Sequence, residues 1–184
     1  DLRTPLTRLK LQLAMLKEKE VSKNMSKDID EMESLLNNYL QFAKTQATES
    51  TSDIDLKRLF EDVKKDFNTK NLQISQIEEI NLKGRPIALK RCFENIIQNA
   101  LTYGKNALVE FEKSTNRIAI IFHDDGPGIP EDQYKNVFKP FFRLDKSRSL
   151  NQSGVGLGLA IVEDIINSHG GNIQLGRSKL KGLQ

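Results

Sequence analysis

The sequence predicts an α+β protein in two parts, a helical hairpin followed by a two-layer sandwich of helices and sheet. Residues 6–83 contain neither glycine nor proline, whereas nine of the eleven glycines lie between Gly126 and Gly182. Heptad-spaced apolar residues fill the start of the glycine-free stretch, and runs typical of strands alternate with helical patterns behind it. The strands and helices follow no regular βαβ order, which favours two layers over a doubly wound sheet.

Residues 1–48 predict two helices joined by a short polar turn. Their apolar residues recur at spacings of three and four, as Leu2, Leu6, Leu9, Leu13 and Leu16 in the first helix and Met25, Ile29, Met32, Leu36, Tyr39 and Ala43 in the second. One hairpin cannot bury both stripes, so pairing with a second copy into a dimeric four-helix bundle is predicted. A helical linker, or a hairpin packed on its own second domain, is the alternative.

Residues 49–184 predict the sandwich, after a Ser/Thr-rich linker at 45–52. Asp55 can cap a helix whose apolar face consists of Leu56, Leu59, Phe60, Val63 and Phe67. Apolar and polar residues follow in alternating stretches at 72–82. A helix is then predicted at 87–103, and strands are predicted at 107–111 and 117–123. A helix over 156–169 ends at Gly170, and one or two further strands are expected after it.

The composition excludes several classes of site. One cysteine, Cys92, cannot form an intramolecular disulfide, and one cysteine with two histidines cannot build a Cys/His zinc cage. The longest clean apolar run spans residues 118–122, so neither a membrane span nor a signal peptide is expected within the sequence. A net charge of +3 gives no argument for nucleic-acid binding.

Three polar and glycine-rich motifs predict a ligand site. Asp124–Gly128 places a carboxylate at a strand end before two glycines, which suits the amino group of a planar base, although an ordinary tight turn is the alternative. Ser153–Ala160 carries alternating glycines into a helix, a suitable place for a polyphosphate, but it lacks the P-loop pattern. Asn95 and Asn99 share one helix face, where they could serve a cation and phosphates or simply be solvated.

The motifs, in this order, resemble those of the sensor histidine kinases of two-component systems, and the resemblance covers nearly the whole chain. The matching boxes are the H-box at Asp1–Leu9, the N-box at Asn95–Asn99, the G1 box at Asp124–Gly128, the F box at Phe138–Phe142 and the G2 box at Gly154–Leu159. The H-box sequence resembles most closely that of osmosensor-type members. The resemblance implies a dimerisation and histidine-phosphotransfer hairpin at 1–48 and a Bergerat-type (GHKL) α/β sandwich that binds ATP at 49–184.

The resemblance also implies the nucleotide-binding residues. Asp124 would bind the adenine amino group, in a pocket that Gly126, Gly128 and Ile129 shape. Asn99 would ligate the Mg²⁺ that bridges the phosphates of ATP, Asn95 would help to hold those phosphates, and Tyr103 would line the nucleotide.

A mobile ATP lid is implied from about residue 139 to 155. Its anchor would include Phe141 and Phe142, and Arg143 would reach a phosphate. The lid hinge and the helix start that meets the polyphosphate would comprise Gly154, Gly156, Leu157, Gly158 and Leu159. Thr102 stands where many members of the family carry a basic residue, so Lys105 or Arg143 would supply that charge instead.

The same nucleotide fold serves gyrase-type, chaperone and mismatch-repair ATPases, which resemble one another in a glutamate four residues before the metal-binding asparagine. Asn95 stands at that position here, and Glu94 is turned about 100° away from it on a helix. Attack of water on ATP is therefore predicted to be poor, and delivery of the γ-phosphoryl group to a better nucleophile is favoured. A GHKL-fold ATPase and a non-catalytic dimerisation scaffold with a nucleotide pocket are the alternatives.

In the family, the phosphoacceptor is a histidine directly before the acidic residue of the H-box, which corresponds to the position just upstream of Asp1. The resemblance implies that Asp1 acts as base or orienter in phosphorylation, and that Thr4 positions water when the partner regulator is dephosphorylated. His123 and His169 are predicted to be incidental. A homodimer is implied, with a response-regulator receiver domain as partner and no nucleic acid. The chain would be the cytoplasmic portion of an inner-membrane sensor, with its membrane segments elsewhere.

Overall fold

The computed structural model describes residues 49–115, 117–144 and 156–184, and in addition the helical residues Arg8, Leu9, Leu13, Met25, Ser26, Ile29, Asp30, Met32 and Glu33. The chain divides into two compact units, residues 1–48 and 49–184. In the first unit Leu13 and Ile29, one from each predicted stripe, are buried and form an apolar cluster. Apart from the nine helical residues named above, the predicted hairpin lies outside the described residues.

The second unit begins with a strand that leads directly into a helix, β1 (Ser52–Asp55) and α1 (Leu56–Phe67). The Oδ1 atom of Asp55 accepts hydrogen bonds from Lys57 N at 2.9 Å and Arg58 N at 3.3 Å, so the predicted helix and its cap are confirmed. Sequence reasoning missed β1. Three of its four residues are exposed and Ile54 alone is buried, so it carries no apolar alternation that could reveal a strand.

Four more strands form the sheets: β2 (Leu72–Ile74), β3 (Asn81–Gly84), β4 (Ala107–Ser114) and β5 (Arg117–Asp124). β1 and β3 pair antiparallel, and β4 lies between a parallel β2 and an antiparallel β5. The strands predicted at 107–111 and 117–123 are confirmed, and both extend one to three residues further. Ala107 lies opposite Asp124, so the carboxylate stands where the β4–β5 ladder ends.

Two helices pack side by side in the second unit, α2 (Pro86–Tyr103) and α3 (Gly158–Ser168). The carboxylate of Glu49 caps α2 from a distant part of the chain, accepting hydrogen bonds from Ile87 N at 2.5 Å and Ala88 N at 3.0 Å. α3 begins two residues later than predicted, and Gly170 follows its end with φ +72°. No helix within the described residues is long and apolar enough to cross a membrane.

The expected strands after α3 require a correction. Among the described residues 171–184 no extended strand forms, and the one isolated bridge joins Arg177 to Leu183. Gly176 and Gln184 exchange backbone hydrogen bonds of 2.9 and 2.8 Å, so the segment is a tight hairpin. We call residues 176–184 the C-terminal hairpin.

Four phenylalanines join the helices to the sheet and confirm the two-layer arrangement. The ring of Phe60 on α1 stacks on Phe93 of α2 with centroids 4.7 Å apart, and it meets Phe111 of β4 edge-on at 4.9 Å. Phe122 of β5 completes the group, 6.4 Å from Phe60. Burial beside this cluster raises the pKa of the Cys92 thiol to about 12, so this cysteine is not a nucleophile.

We expect Phe60→Ala to lower the free energy of unfolding by about 3–5 kcal/mol, because the ring is 1% exposed and its loss leaves a cavity between both layers. Urea denaturation followed by circular dichroism measures this change. Phe67→Ala is the matched control, since Phe67 lies on the same helix and is only half-buried. Equal losses of unfolding free energy in the two variants would show that Phe60 does not lie at the centre of the core.

Candidate functional site

Asp124 ends β5 with its carboxylate held on one side by the backbone. Its side chain is buried, and Oδ1 accepts hydrogen bonds from Gly126 N at 2.8 Å and from Leu183 N at 3.0 Å. Within the part of the chain that the structure describes, Oδ2 has no hydrogen-bond partner. The backbone donors therefore fix the orientation of the carboxylate, and its second oxygen can accept a hydrogen bond from a ligand.

The C-terminal hairpin covers this carboxylate. Asp124 N donates to Leu183 O at 3.0 Å, and Gly182 N donates to Asp124 O at 3.1 Å. A Cβ atom at Gly182 would lie 2.1 Å from Asp124 Oδ1 and 2.5 Å from its carbonyl oxygen, so only glycine allows this approach. Sequence reasoning missed Gly182 and Leu183. They contact Asp124 through the backbone, and nothing in the sequence near them marks that contact.

The hairpin is also tied to the sheet by charge. The carboxylate of Glu110 on β4 forms a salt bridge with the Lys179 ammonium, and its Oε2 atom lies 3.1 Å from Nε2 of His123. Lys179, together with His123, lowers the pKa of the Glu110 carboxyl. His123 is 5% exposed and follows strand alternation onto the face opposite Asp124, so it contacts Glu110 and not the carboxylate beside it in sequence.

The amide face of α2 meets the first residue of α3. Asn95 Nδ2 donates to Arg91 O at 2.9 Å, which orients its amide. A Cβ atom at Gly158 would lie 3.5 Å from Asn95 Oδ1 and 3.6 Å from Asn99 Nδ2. Among the described residues, no side chain forms a capping hydrogen bond at the start of α3. Two amides therefore stand beside a helix N-terminus whose first N–H groups remain available to an anion.

Glu94 lies on a different side of α2. The Lys90 ammonium is 2.6 Å from Asp66 of α1 and 3.7 Å from Glu94, so Glu94 belongs to the contact between α1 and α2. Burial raises the pKa of the Glu94 carboxyl, although Lys90 opposes that effect. No carboxylate from α2 accompanies the two asparagines on their face.

The end of α2 contacts the glycine turn after Asp124. A Cβ atom at Gly126 would lie 3.1 Å from the backbone carbonyl of Tyr103, the last residue of α2. Gly128 has φ +72°, and Ile129 beside it is half-buried. Tyr103 is largely exposed. α2 therefore connects the amide face at one point with the carboxylate turn at another.

Of the lid predicted at about 139–155, residues 145–155 lie outside the described residues, and one backbone hydrogen bond joins the chain on either side of them. Phe141 N donates to Gly156 O at 2.9 Å, and Gly156 has φ +78°. Phe141 is exposed and itself left-handed, with φ +65°, while Phe142 and Arg143 are half-buried. Leu157 is buried at the start of α3 and Leu159 is half-buried within it. Three predicted site residues, Asp1, Thr4 and Gly154, lie outside the described residues.

α2 therefore lies close to described residues of the other two motifs, with Gly158 beside its amide face and Gly126 beside its last residue. Within the described residues, no group of three or more His, Cys, Asp or Glu side chains could hold a metal ion. Hard cations also accept amide oxygens as ligands. Asn95 and Asn99 provide such oxygens beside the anion-binding end of α3. A magnesium nucleotide fits this donor set, because its phosphates supply the remaining metal ligands.

Comparisons with known proteins agree with this architecture. The model of the histidine kinase-, DNA gyrase B- and HSP90-like ATPases matches residues 84–184, and the His Kinase A (phospho-acceptor) domain model matches residues 1–48. The chain belongs to the histidine kinase-, DNA gyrase B- and HSP90-like ATPase family, and its pair of domains is that of the sensor histidine kinases.

Individual relatives give the same result. The sensor histidine kinase GtrS of Pseudomonas aeruginosa is 35% identical over 190 residues, which cover 100% of this chain and 38% of that protein. The sensor histidine kinase CpxA of Escherichia coli is 32% identical over 198 residues, covering 100% and 43%. The ATP binding domain of PrrB from Mycobacterium tuberculosis superposes with a TM-score of 0.59 and 25% identity, over 73% of this chain and 93% of that one. The chain thus spans about two-fifths of the length of these curated relatives.

Proposed function

We propose that this chain is the catalytic core of a sensor histidine kinase, in which residues 49–184 bind Mg-ATP and residues 1–48 dimerise and carry out histidine phosphotransfer. The observation that carries the proposal is the arrangement along α2. Asn95 and Asn99 meet the uncapped start of α3, and Tyr103 meets the turn after Asp124. A ligand with an amino-bearing base at one end and a polyphosphate at the other matches both ends of this helix.

At the base end, Asp124 Oδ2 accepts a hydrogen bond from the adenine amino group, while Oδ1 keeps its hydrogen bonds from the backbone N–H groups of Gly126 and Leu183. Gly126, Gly128 and Ile129 form the wall of the pocket, and the left-handed backbone of Gly128 lets the chain turn close to the ring.

At the phosphate end, the amide oxygen of Asn99 ligates Mg²⁺ and Asn95 hydrogen-bonds a phosphate oxygen. The N–H groups from Leu157 to Leu159, including that of Gly158, face the polyphosphate, where the positive end of the α3 dipole favours its charge. Mg²⁺, when bound, neutralises charge on the phosphates. Tyr103 lines the nucleotide between the two ends.

The lid residues complete the site in this proposal. Phe142 anchors the lid, and Arg143 reaches a phosphate. Gly154 and Gly156 supply the hinge; the hydrogen bond from Phe141 N to Gly156 O, at 2.9 Å, supports this assignment because it ties Gly156 to the chain next to Phe142.

Transfer to a protein nucleophile is favoured over hydrolysis by the position of Glu94. Its carboxylate is committed to the α1–α2 contact beside Lys90, and the residue on the amide face is Asn95, which cannot take a proton from water. A site that positions ATP without a general base for water is suited to phosphoryl transfer by orientation and charge neutralisation.

The acceptor in this proposal is a histidine directly upstream of Asp1, with Asp1 as base or orienter and Thr4 as the residue that positions water in regulator dephosphorylation. The phosphoryl group passes on to an aspartate of a response-regulator receiver domain. Leu9, Met25 and Met32 are exposed although they belong to the apolar stripes, which supports burial against a second copy. In this proposal the chain lies on the cytoplasmic side of an inner-membrane sensor.

The metal role of Asn99 provides the test of the proposal. We expect Asn99→Ala to weaken Mg-ATP binding about tenfold, because a metal ligand is lost, and to change ATP binding in EDTA less than about twofold. Isothermal titration calorimetry with and without magnesium measures both affinities. Gln98→Ala is the matched control, since Gln98 is exposed on the neighbouring face of α2 and bonds Thr102. An equal loss in magnesium and in EDTA would refute the metal role.

A further inference from the structure

Asp125 joins two parts of the site that are distant in sequence. Its Oδ1 atom accepts hydrogen bonds from the backbone N–H groups of Lys105, at 2.6 Å, and Asn106, at 2.8 Å. Its Oδ2 atom accepts a third from Asn106 Nδ2 at 2.7 Å. Lys105 and Asn106 lie two and three residues after the end of α2, whereas Asp125 follows Asp124, the last residue of β5. One carboxylate thus fastens the end of α2 to the end of β5.

The bonding pattern accounts for the charge state of Asp125. The backbone N–H of Asn106, its side-chain amide and the backbone N–H of Lys105 lower the pKa of the carboxyl, so it is ionised at neutral pH. A lowered pKa means that these bonds are intact above the ordinary aspartate pKa and are lost as the pH falls through the folded-state value. Nucleotide binding at neutral pH therefore occurs with the fastening in place.

We propose that Asp125 is a positioning residue for nucleotide binding, which holds the amide face of α2 and the carboxylate of Asp124 at a fixed separation. The inference rests on the proposed function, because it assumes that one nucleotide contacts both places. ATP gains affinity over its two halves only when both subsites stand at the distance that the molecule spans. Asp125 itself touches no ligand in this proposal.

The test compares ligands that use one subsite with a ligand that uses both. In Asp125→Asn, Oδ1 can still accept both backbone N–H groups, but all three hydrogen bonds lose their charged acceptor, and the new amide nitrogen finds an acceptor only after the Asn106 amide has turned over. Adding Asn106→Asp places a carboxylate opposite that nitrogen, so this contact again joins a charged acceptor to a donor. Calorimetry on the whole chain measures the affinities for adenosine, for magnesium tripolyphosphate and for Mg-ATP. Asp62→Asn, which removes an exposed carboxylate paired with Lys65 on α1, is the matched control.

We expect Asp125→Asn to weaken Mg-ATP binding about tenfold and to change the affinities for adenosine and tripolyphosphate less than about twofold, since each fragment needs only one subsite. The exchanged double variant should bind Mg-ATP within about threefold of the unchanged chain. An equal loss for all three ligands, no loss for Mg-ATP, or no recovery in the double variant would overturn the positioning role.

The same titrations separate this inference from the proposed function. Asp124→Asn, measured alongside, should abolish adenosine binding while leaving tripolyphosphate binding intact. Unchanged adenosine binding in that variant would reject the nucleotide site itself. Loss of adenosine binding there, combined with an unaffected Asp125→Asn variant, would reject only the role of Asp125.

Discussion

Asp124→Asn is expected to lower the affinity for Mg-ATP at least about 100-fold with little effect on folding. The amide oxygen of the new side chain can keep the hydrogen bonds from Gly126 N and Leu183 N, so the turn and the C-terminal hairpin stay in place. The amide nitrogen then faces the adenine amino group, and two donors meet where an acceptor is required. Losing a charged hydrogen bond and leaving a buried donor unpaired together account for this magnitude.

Fluorescence titration with a labelled adenine nucleotide, or calorimetry with Mg-ATP, measures the change. Asp53→Asn is the matched control, because Asp53 is an exposed aspartate on β1. This variant should bind Mg-ATP with the affinity of the unchanged chain. A thermal melt checks that the fold is retained. Retention of ATP affinity in Asp124→Asn would contradict the assignment of the adenine subsite.

Gly182→Ala is expected to weaken Mg-ATP binding at least about tenfold and to lower the free energy of unfolding by about 1–3 kcal/mol. The added methyl would lie 2.1 Å from Asp124 Oδ1 and 2.6 Å from Gly126 N, so the C-terminal hairpin must move away. Leu183 N would then no longer hold the Asp124 carboxylate. The disturbance therefore combines steric strain with loss of the fixed carboxylate orientation.

The hairpin offers its own control. Gly176→Ala places a methyl on the same hairpin, where a Cβ would meet nothing within 4 Å. We expect that variant to keep both its nucleotide affinity and its stability, as measured by calorimetry and urea denaturation. Similar losses in the two glycine variants would mean that the hairpin matters as a whole and that contact with Asp124 is not the cause.

The sequence predicted those parts of the fold that depend on neighbouring residues. The Asp55 cap and the apolar face of α1 lie within a dozen residues of one another, and β4 and β5 carry the aromatic and β-branched runs typical of strands. The ligand motifs could be predicted for the same reason. Each motif is a short stretch whose residue types suit one chemical task.

The missed features all depend on partners far along the chain. Glu49 caps α2 across 38 residues, and Gly182 meets Asp124 through backbone atoms that no residue type advertises. β1 buries one residue, Ile54, so its mostly polar sequence does not show the alternation of a strand. The role of Asp125 depends on Lys105 and Asn106, about 20 residues earlier, so a motif read by itself could not assign it.

The most direct test of the account is phosphotransfer from γ-labelled ATP to this chain and to a version extended upstream through the residue before Asp1. We predict that the extended chain becomes labelled on its upstream histidine, with a bond that is stable to base and labile to acid. The label should disappear in Asp124→Asn and in Asn99→Ala. Strong labelling of His123 or His169, or steady release of phosphate without labelled protein in a chain carrying Asn95→Ala, would contradict it.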